Sequence, residues 1–235
     1  MPVMKIDSIG FIRTPFKEKF GTPRQGILDV TGQCQIEMGS QYSHPSFFKG
    51  LEEFSHLWIY YYLDKSIWKN QTTLRPPRLG GIKRMGLFAT RGPHRPNPIG
   101  QCLVELERIE FTNSKAILHT SLIDAIDETP LLDIKPYISN YDYAEKTKSG
   151  WVNKAEFPSL NVEFSQRAIS SLKDHFSNPD RYQRVLRLIS TILQQDPRPA
   201  YHKSKNLSHL YGIKIYDFDL RFSYQNEQIF VESIE

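Results

Sequence analysis

Apolar positions alternate with polar ones, or gather in short aromatic and β-branched blocks, over the first 130 residues or so. KIDSIGFIRT (5–14) places Ile6, Ile9 and Ile12 in imperfect alternation and predicts a strand. LWIYYYLD (57–64) is aromatic and rich in strand formers, which predicts a buried strand. MGLFATR (85–91), IGQCLVELERIEF (99–111) and KAILHTSLIDAI (115–126) follow as strands, the last two joined by a tight turn at Asn113 and Ser114. HPSFFKGLEEFSH (44–56) holds one short helical turn. TPRQGILDVTG (22–32), with one proline, two glycines and no period, reads as a loop. Short strands without long helices between them predict an antiparallel barrel or a sandwich.

The period changes after Tyr141. NYDYAEKTKSGWVNKAEFP (140–158) is polar and broken, as a linker is. SQRAISSLKDHF (165–176) puts Ile169, Leu172 and Phe176 on a helical stripe. Asn178-Pro179 suits the start of a second helix, along which Tyr182, Val185, Leu186, Ile189 and Leu193 keep the 3.6 period. In the tail (211–235), Phe218, Leu220, Phe222 and Tyr224 alternate, QNEQ turns and IFVESI returns, a hairpin pattern. The expected organisation is a mainly β domain over 1–150 and a small α+β domain over 155–235.

Composition narrows the class. Apolar residues at 39% and aromatics at 12% suit a packed core rather than a disordered chain. The net charge of +4 is too small to argue by itself for a nucleic-acid partner. Two cysteines, Cys34 and Cys102, are too few for a disulfide scaffold and fit a reducing compartment. No apolar run approaches a membrane span, and the start lacks a signal-peptide apolar region, so a cytoplasmic location is expected. The histidines show no metal-ligand spacing, and CxxC, GxSxG, Walker A and GxGxxG motifs are all missing, so no metal is expected.

Charge becomes informative when mapped along the chain. Between Asp64 and Glu105 there is no acidic residue, against eight basic ones: Lys65, Lys69, Arg75, Arg78, Lys83, Arg84, Arg91 and Arg95. A solvated basic face is one reading. The other is an anion-binding surface, and the prolines and glycines of RPPRLGG and RMGLFATRGPHRPNPIG favour it. A stiff backbone loses little entropy when its Arg and Asn side chains bind a ligand. SLIDAIDETPLLDIKPY (121–137) forms a second polar cluster. Its Asp124, Asp127 and Asp133 sit near strand ends with Lys135, able to accept from a ribose diol or an amine, or to serve as plain turn and ion-pair groups. TPRQG (22–26) offers Arg24 and Gln25 in a glycine-bounded loop. QQDPRPAYHKSK (194–205) holds Arg198 between two prolines, near Tyr201.

Together PRQ (23–25), RPPRLGG (75–81), RMGLFATRGPHRPNPIG (84–100), DAIDETPLLDIKPY (124–137) and QDPRPAY (195–201) resemble, in order and over nearly the whole chain, the TsaA-like or TrmO-type tRNA methyltransferases. The resemblance implies an antiparallel β-barrel with a small C-terminal domain and a homodimer. It implies S-adenosyl-L-methionine as cofactor. The implied substrate is the N(6) of a threonylcarbamoyl-modified adenosine beside the anticodon of threonine tRNA. Carried over residue by residue, Pro23, Arg24, Gln25, Arg91, Asp124, Ala125, Ile126 and Asp127 match the cofactor site, with Asp64 and Lys65 a looser match. Asn97 and Asp127 are the candidate hydrogen-bond acceptors beside the N(6) N–H, and no residue stands out as a catalytic base. Arg95, then Lys135, would hold the threonyl carboxylate. Arg198 and Tyr201 would contact tRNA. A non-enzymatic RNA-binding module, and a methyltransferase acting on something other than tRNA, remain as alternatives.

Overall fold

The computed structural model describes residues 4–23, 26, 34–113, 115–155, 157–198, 209–225 and 228–235. The chain divides into two compact units. One takes Met1–Pro15, Arg24–Asn70 and Pro93–Thr147; the other takes Phe16–Pro23, Gln71–Gly92 and Lys148–Glu235.

The first unit is a closed barrel. β1 (Gly10–Arg13), β2 (Cys34–Met38) and β3 (His56–Tyr62) come first. Two short strands of the other unit, β4 (Thr73–Leu74) and β5 (Met85–Gly86), pair only with each other. β6 (Ile99–Thr112), β7 (Lys115–Thr120) and β8 (Thr129–Pro136) then complete the circle in the order β1-β2-β7-β6-β3-β8, antiparallel at every seam. Of the two architectures that strand spacing left open, the barrel is the one formed. Closure gives each of the six strands a partner on both sides over part of its length, which removes the free edges of an open sheet. Alternation fills the inside: Ile12, Cys34, Ile36, Leu57, Ile59, Cys102, Val104, Ala116, Leu118 and Leu131 are all fully buried. Each large aliphatic among them is worth about 1.5–3 kcal/mol of burial. A short helix, α1 (Ser139–Asp142), follows the barrel.

The second unit has β9 (Val162–Phe164), α2 (Gln166–His175), α3 (Pro179–Gln194), β10 (Tyr211–Ile215), β11 (Phe218–Gln225) and β12 (Gln228–Ile234). Its sheet runs β10-β11-β12-β9, with β9 parallel to β12. Both helices start on side-chain caps. Ser165 Oγ accepts from Ala168 N–H at 3.0 Å, and Asn178 Oδ1 accepts from Asp180 and Arg181 N–H at 2.9 and 3.2 Å. The expected stripe is buried at Tyr182, Val185, Ile189 and Leu193, with Leu188 and Ile192 beside it. The earlier segments belong here by contact: Phe16 is fully buried and bridges to Ile215, and Trp151 Nε1 donates to Ala89 O at 2.6 Å.

Several elements depart from the expected pattern. Segment 85–91 is a strand only at Met85–Gly86; Thr90 then turns its N–H and hydroxyl back onto Leu87 O at 3.1 and 2.8 Å. The strand expected over 115–126 stops at Thr120, and the one expected over 5–14 is confined to Gly10–Arg13. Segment 44–56 holds two short 3-10 turns, Pro45–Phe48 and Leu51–Glu53. Strands β2 and β8 have no counterpart in the sequence expectation. Asp133 and Lys135 therefore lie within a strand rather than at its end. Of the expected 22–32 loop, only Thr22, Pro23 and Gly26 are among the described residues.

Candidate functional site

One end of the barrel collects the chemistry. Tyr62, the last residue of β3, pairs with Ile99, the first of β6, and Tyr61 pairs with Leu131 near the start of β8. The chain beyond β7 runs toward the same end. Two loops are bonded together there: Leu63 N–H donates to Pro98 O at 2.8 Å, and Ile67 N–H to His94 Nδ1 at 3.2 Å. Asp64, Lys65, Arg95, Asn97 and the 124–127 segment thus share one end of the unit. Asp64, Lys65 and Asn97 are exposed, and Arg95 is half-buried. The 93–98 turn is stiff, with Arg95 N–H on Pro93 O at 3.0 Å and Ile99 N–H on Asn97 O at 2.8 Å.

The 121–127 segment leaves the sheet but is pinned along its length. Ser121 is fully buried and its hydroxyl accepts from Glu105 N–H at 2.9 Å. Ile123 N–H bonds Cys34 Sγ at 3.3 Å. Tyr61 donates its hydroxyl to Asp124 Oδ1 at 2.8 Å. Thr14 bonds the segment through its hydroxyl, to Ala125 O at 2.9 Å, and through its N–H, to Asp127 Oδ1 at 3.0 Å. Thr129 Oγ1 closes on Ile126 O at 2.6 Å. Glu128 stands at φ 66, held by Ile12 O at 2.9 Å and by Arg13 at 2.7 Å, and Arg13 also reaches Glu37 at 3.3 Å. Gly26 lies against this segment too: a Cβ there would collide with Cys102 Sγ and stand 3.0 Å from Leu122 O. The backbone just after Gln25 is therefore brought to the start of the acidic segment. Asp124 and Asp127 are half-buried carboxylates on a backbone with little freedom to move. One oxygen of Asp127 serves a main-chain N–H, the structural role an aspartate at a turn often takes.

Burial pushes the Cys34 thiol up to about 12, against a lowering by the Ile123 N–H. It drives Cys102 well up as well, with the Asp124 carboxylate adding to the effect. Both are packed thiols rather than nucleophiles.

The remaining expected residues lie elsewhere. Lys135 sits on the outer wall of the barrel across from Trp58, 3.7 Å from Asp133 and 5.7 Å from the Tyr60 ring centre. It is not brought into the 61–64 and 94–98 group. Pro23, which is buried, Arg91, which is exposed, and Arg198 belong to the second unit. Arg91 follows a turn, not a strand. Arg198 is engaged inside its own unit: its guanidinium pairs with Asp196 at 2.9 and 3.1 Å and lies 3.5 Å above the Tyr224 ring. Arg24, Gln25 and Tyr201 fall outside the described residues. Among the described residues no cluster of His, Cys, Asp and Glu is set to hold a metal ion, and no helix is long and apolar enough to cross a membrane.

Thr14 and Tyr61 were not singled out by sequence. Tyr61 was discoverable in principle: strand alternation turns it inward, and a buried hydroxyl must find a partner. Thr14, beyond the end of a short strand, gave no signal.

Residues 11–143 match the N-terminal domain of tRNA-methyltransferase O, and residues 158–235 match the TrmO C-terminal domain. The chain belongs to the tRNA-methyltransferase O family. It is 36% identical over 225 residues to the tRNA (adenine(37)-N6)-methyltransferase of Escherichia coli K12, covering 94% of each chain. It is 38% identical over 220 residues to a putative S-adenosylmethionine-dependent methyltransferase, RcsF, of Pseudomonas aeruginosa, covering 93% of this chain and 92% of that one. In structure it resembles TrmO from Pseudomonas aeruginosa with a TM-score of 0.79 at 31% identity, over 100% of this chain and 99% of the other. The acceptors that the TrmO fold gathers here suit a nucleoside cofactor. Asp124 and Asp127 offer carboxylates to a ribose diol or an ammonium group, on a segment already fixed in place.

Proposed function

We propose that the chain carries the methyl group of S-adenosylmethionine to the N(6) of a threonylcarbamoyl-modified adenosine, beside the anticodon of threonine tRNA. Its standing as an S-adenosylmethionine-dependent tRNA methyltransferase rests on family membership and on the activities in the names of its relatives. The modified adenosine, the choice of tRNA, a homodimer and a cytoplasmic location belong to this reading. The observation that carries it is the pinned 121–127 segment at the barrel end that also holds Arg95 and Asn97.

When bound, S-adenosylmethionine supplies an electrophilic methyl on a sulfonium. The chain's part is mostly positioning, because an in-line displacement is fast only when nitrogen, methyl and sulfur are aligned. Asp124 and the backbone around it, with Asp64 and Lys65, hold the cofactor within the barrel unit; Arg91 and the 23–25 segment are cofactor contacts on the family resemblance alone. An adenosine N(6) is a weak nucleophile, since its lone pair is delocalised into the ring and further withdrawn by the carbamoyl group. The same withdrawal makes its N–H more acidic, so an acceptor beside it helps. Asn97 Oδ1 takes that place as a hydrogen-bond acceptor more readily than Asp127, which already serves Thr14. An amide holds the N–H but does not keep the proton, which passes to water as the methyl is transferred and the thioether leaves. Arg95 grips the threonyl carboxylate through its guanidinium fork. The C-terminal unit, including Arg198 and Tyr201, contributes to holding tRNA through phosphates.

The experiment is direct. Purified protein is incubated with methyl-labelled S-adenosylmethionine and total tRNA, and the digested nucleosides are separated. Label on the threonylcarbamoyl-modified adenosine supports the proposal. Label on unmodified adenosine alone rejects the substrate. RNA binding without cofactor binding would favour a non-enzymatic module, and label on protein or a small molecule would favour a different acceptor.

A further inference from the structure

Tyr61 is only 3% exposed and directed inward from β3, yet it carries a hydroxyl. That hydroxyl reaches Asp124 Oδ1 at 2.8 Å, from a strand to a loop 63 residues away in sequence. Its cross-strand partner on β6 is Gly100, the last residue of the RPNPIG run. Gly100 is buried and needs no unusual backbone angle; what it gives is room. A Cβ at position 100 would overlap the Tyr61 ring, with Cδ2 2.6 Å away. The ring lies flat across the glycine and so extends along the barrel wall to the acidic segment. The direction of the side chain follows the unbroken alternation of β3, which pairs with β6 in regular register from His56 to Tyr62; the extra residue in the pairing with β8 lies on β8.

We infer that Tyr61 is a positioning residue for the methyl-donor site: its hydroxyl orients the Asp124 carboxylate, and Gly100 is a glycine because the ring must cross it. The inference rests on the reading of Asp124 as a cofactor contact. It gives the final glycine of the proline-rich run a role in cofactor binding, in addition to any effect on loop stiffness. It also separates the two halves of that run: Arg95 and Asn97 face substrate chemistry, while Gly100 acts through Tyr61.

The test compares full-length Tyr61→Phe, Gly100→Ala, Asp124→Ala and the Tyr61→Phe/Asp124→Ala double variant, each confirmed folded by its thermal melt. Calorimetry with S-adenosylmethionine is the first readout and steady-state kinetics on tRNA the second. Tyr61→Phe removes one oxygen and should weaken cofactor binding about tenfold, the scale of one hydrogen bond to a charged group. It should raise KM for the cofactor and leave KM for tRNA unchanged, a split that mere loosening of the core would not produce. Gly100→Ala touches no polar group and should weaken cofactor binding in the same way. In the Asp124→Ala background, Tyr61→Phe should add nothing. Parent-like cofactor affinity in Tyr61→Phe, with binding lost in Asp124→Ala, would overturn the positioning role alone. Unchanged affinity in Asp124→Ala would overturn the assignment of Asp124 itself. A full additive loss in the double variant would also overturn the inference, since Tyr61 would then act through something else. Should Tyr61→Phe fail to fold, Gly100→Ala carries the same test with the same outcomes.

Discussion

Replacing Arg198 by Ala should cost stability before it costs anything else. Asp196 is 3% exposed, with its backbone at φ 52, and its carboxylate takes both the Arg198 guanidinium and the Tyr224 hydroxyl, the latter at 2.9 Å. The Tyr224 hydroxyl is held far above its ordinary range by burial first and by Asp196 second. Taking the arginine away leaves a buried negative charge beside a ring that has lost its stacked cation. Breaking a buried pair on one side costs about 3–5 kcal/mol. The Arg198 side chain keeps 20% of its exposure, so water can enter, and about 2–4 kcal/mol is the better figure here. For a unit of this size that is a fall in Tm on the order of 10 °C. Calorimetric melts of the parent, Arg198→Ala and Arg198→Ala/Asp196→Asn measure it. The double variant should recover part of the loss, because no buried charge remains. A melt of Arg198→Ala indistinguishable from the parent, or a double variant less stable than the single, would refute the reasoning. Any contribution of Arg198 to tRNA must be assayed well below that melt.

Arg95→Ala should leave cofactor affinity nearly intact and sharply reduce methylation of carbamoyl-modified tRNA; equal methylation of modified and unmodified tRNA by the parent would remove the role. Arg91→Ala should weaken S-adenosylmethionine binding on the order of tenfold to a hundredfold, the loss of one charge-assisted bond, and unchanged calorimetric affinity in a folded variant would count against it. Cys34 and Cys102 should resist a thiol reagent near pH 8 and react on unfolding; labelling of either in the native protein would contradict their burial. Because the folded Cys34 thiol stands at about 12 against an ordinary 9.0, its contribution is intact below pH 9 and is lost as pH rises from there toward 12. Unfolding curves over that range, in the parent and in Cys34→Ala, check the sign.

Elements with strong local patterns were legible in sequence. The aromatic block of β3, the long alternation of β6 and the capped stripe of α3 each carry their structure within a few residues. β2 and β8 were missed for opposite reasons. CQIEM is only five residues long, and TPLLDIKP places charges on the outward face, so a wall of the barrel looked like a polar cluster. The 121–126 stretch looked like a strand because its apolar residues are buried. They are buried by a pinned loop rather than by a ladder. At the candidate site, resemblance supplied the motif residues, but not the bonds that fix the 121–127 segment. Thr14 and Tyr61 act across distances of 113 and 63 residues, which no local period encodes. Lys135 was grouped with the site by its place in the acidic run, and strand register separates it.

The interleaving of the two units has a consequence for synthesis on the ribosome. The chain alternates between them in six runs, so the barrel is complete at Thr147 while the other unit still lacks its helices and its sheet. By then residues 16–23 and 71–92 have emerged, with Phe16 and Leu87, both destined for burial, and no surface of their own unit to cover them. Phe16 must wait for Ile215. Such nascent chains present apolar loops from an otherwise finished barrel, the kind of intermediate that aggregates or recruits chaperones. Stalled chains ending near residue 150 should be cut by protease within 16–23 and 71–92, while full-length chains are protected there. For the same reason, cutting the gene after the barrel does not yield a clean domain: it leaves the barrel carrying two strips of another unit's core.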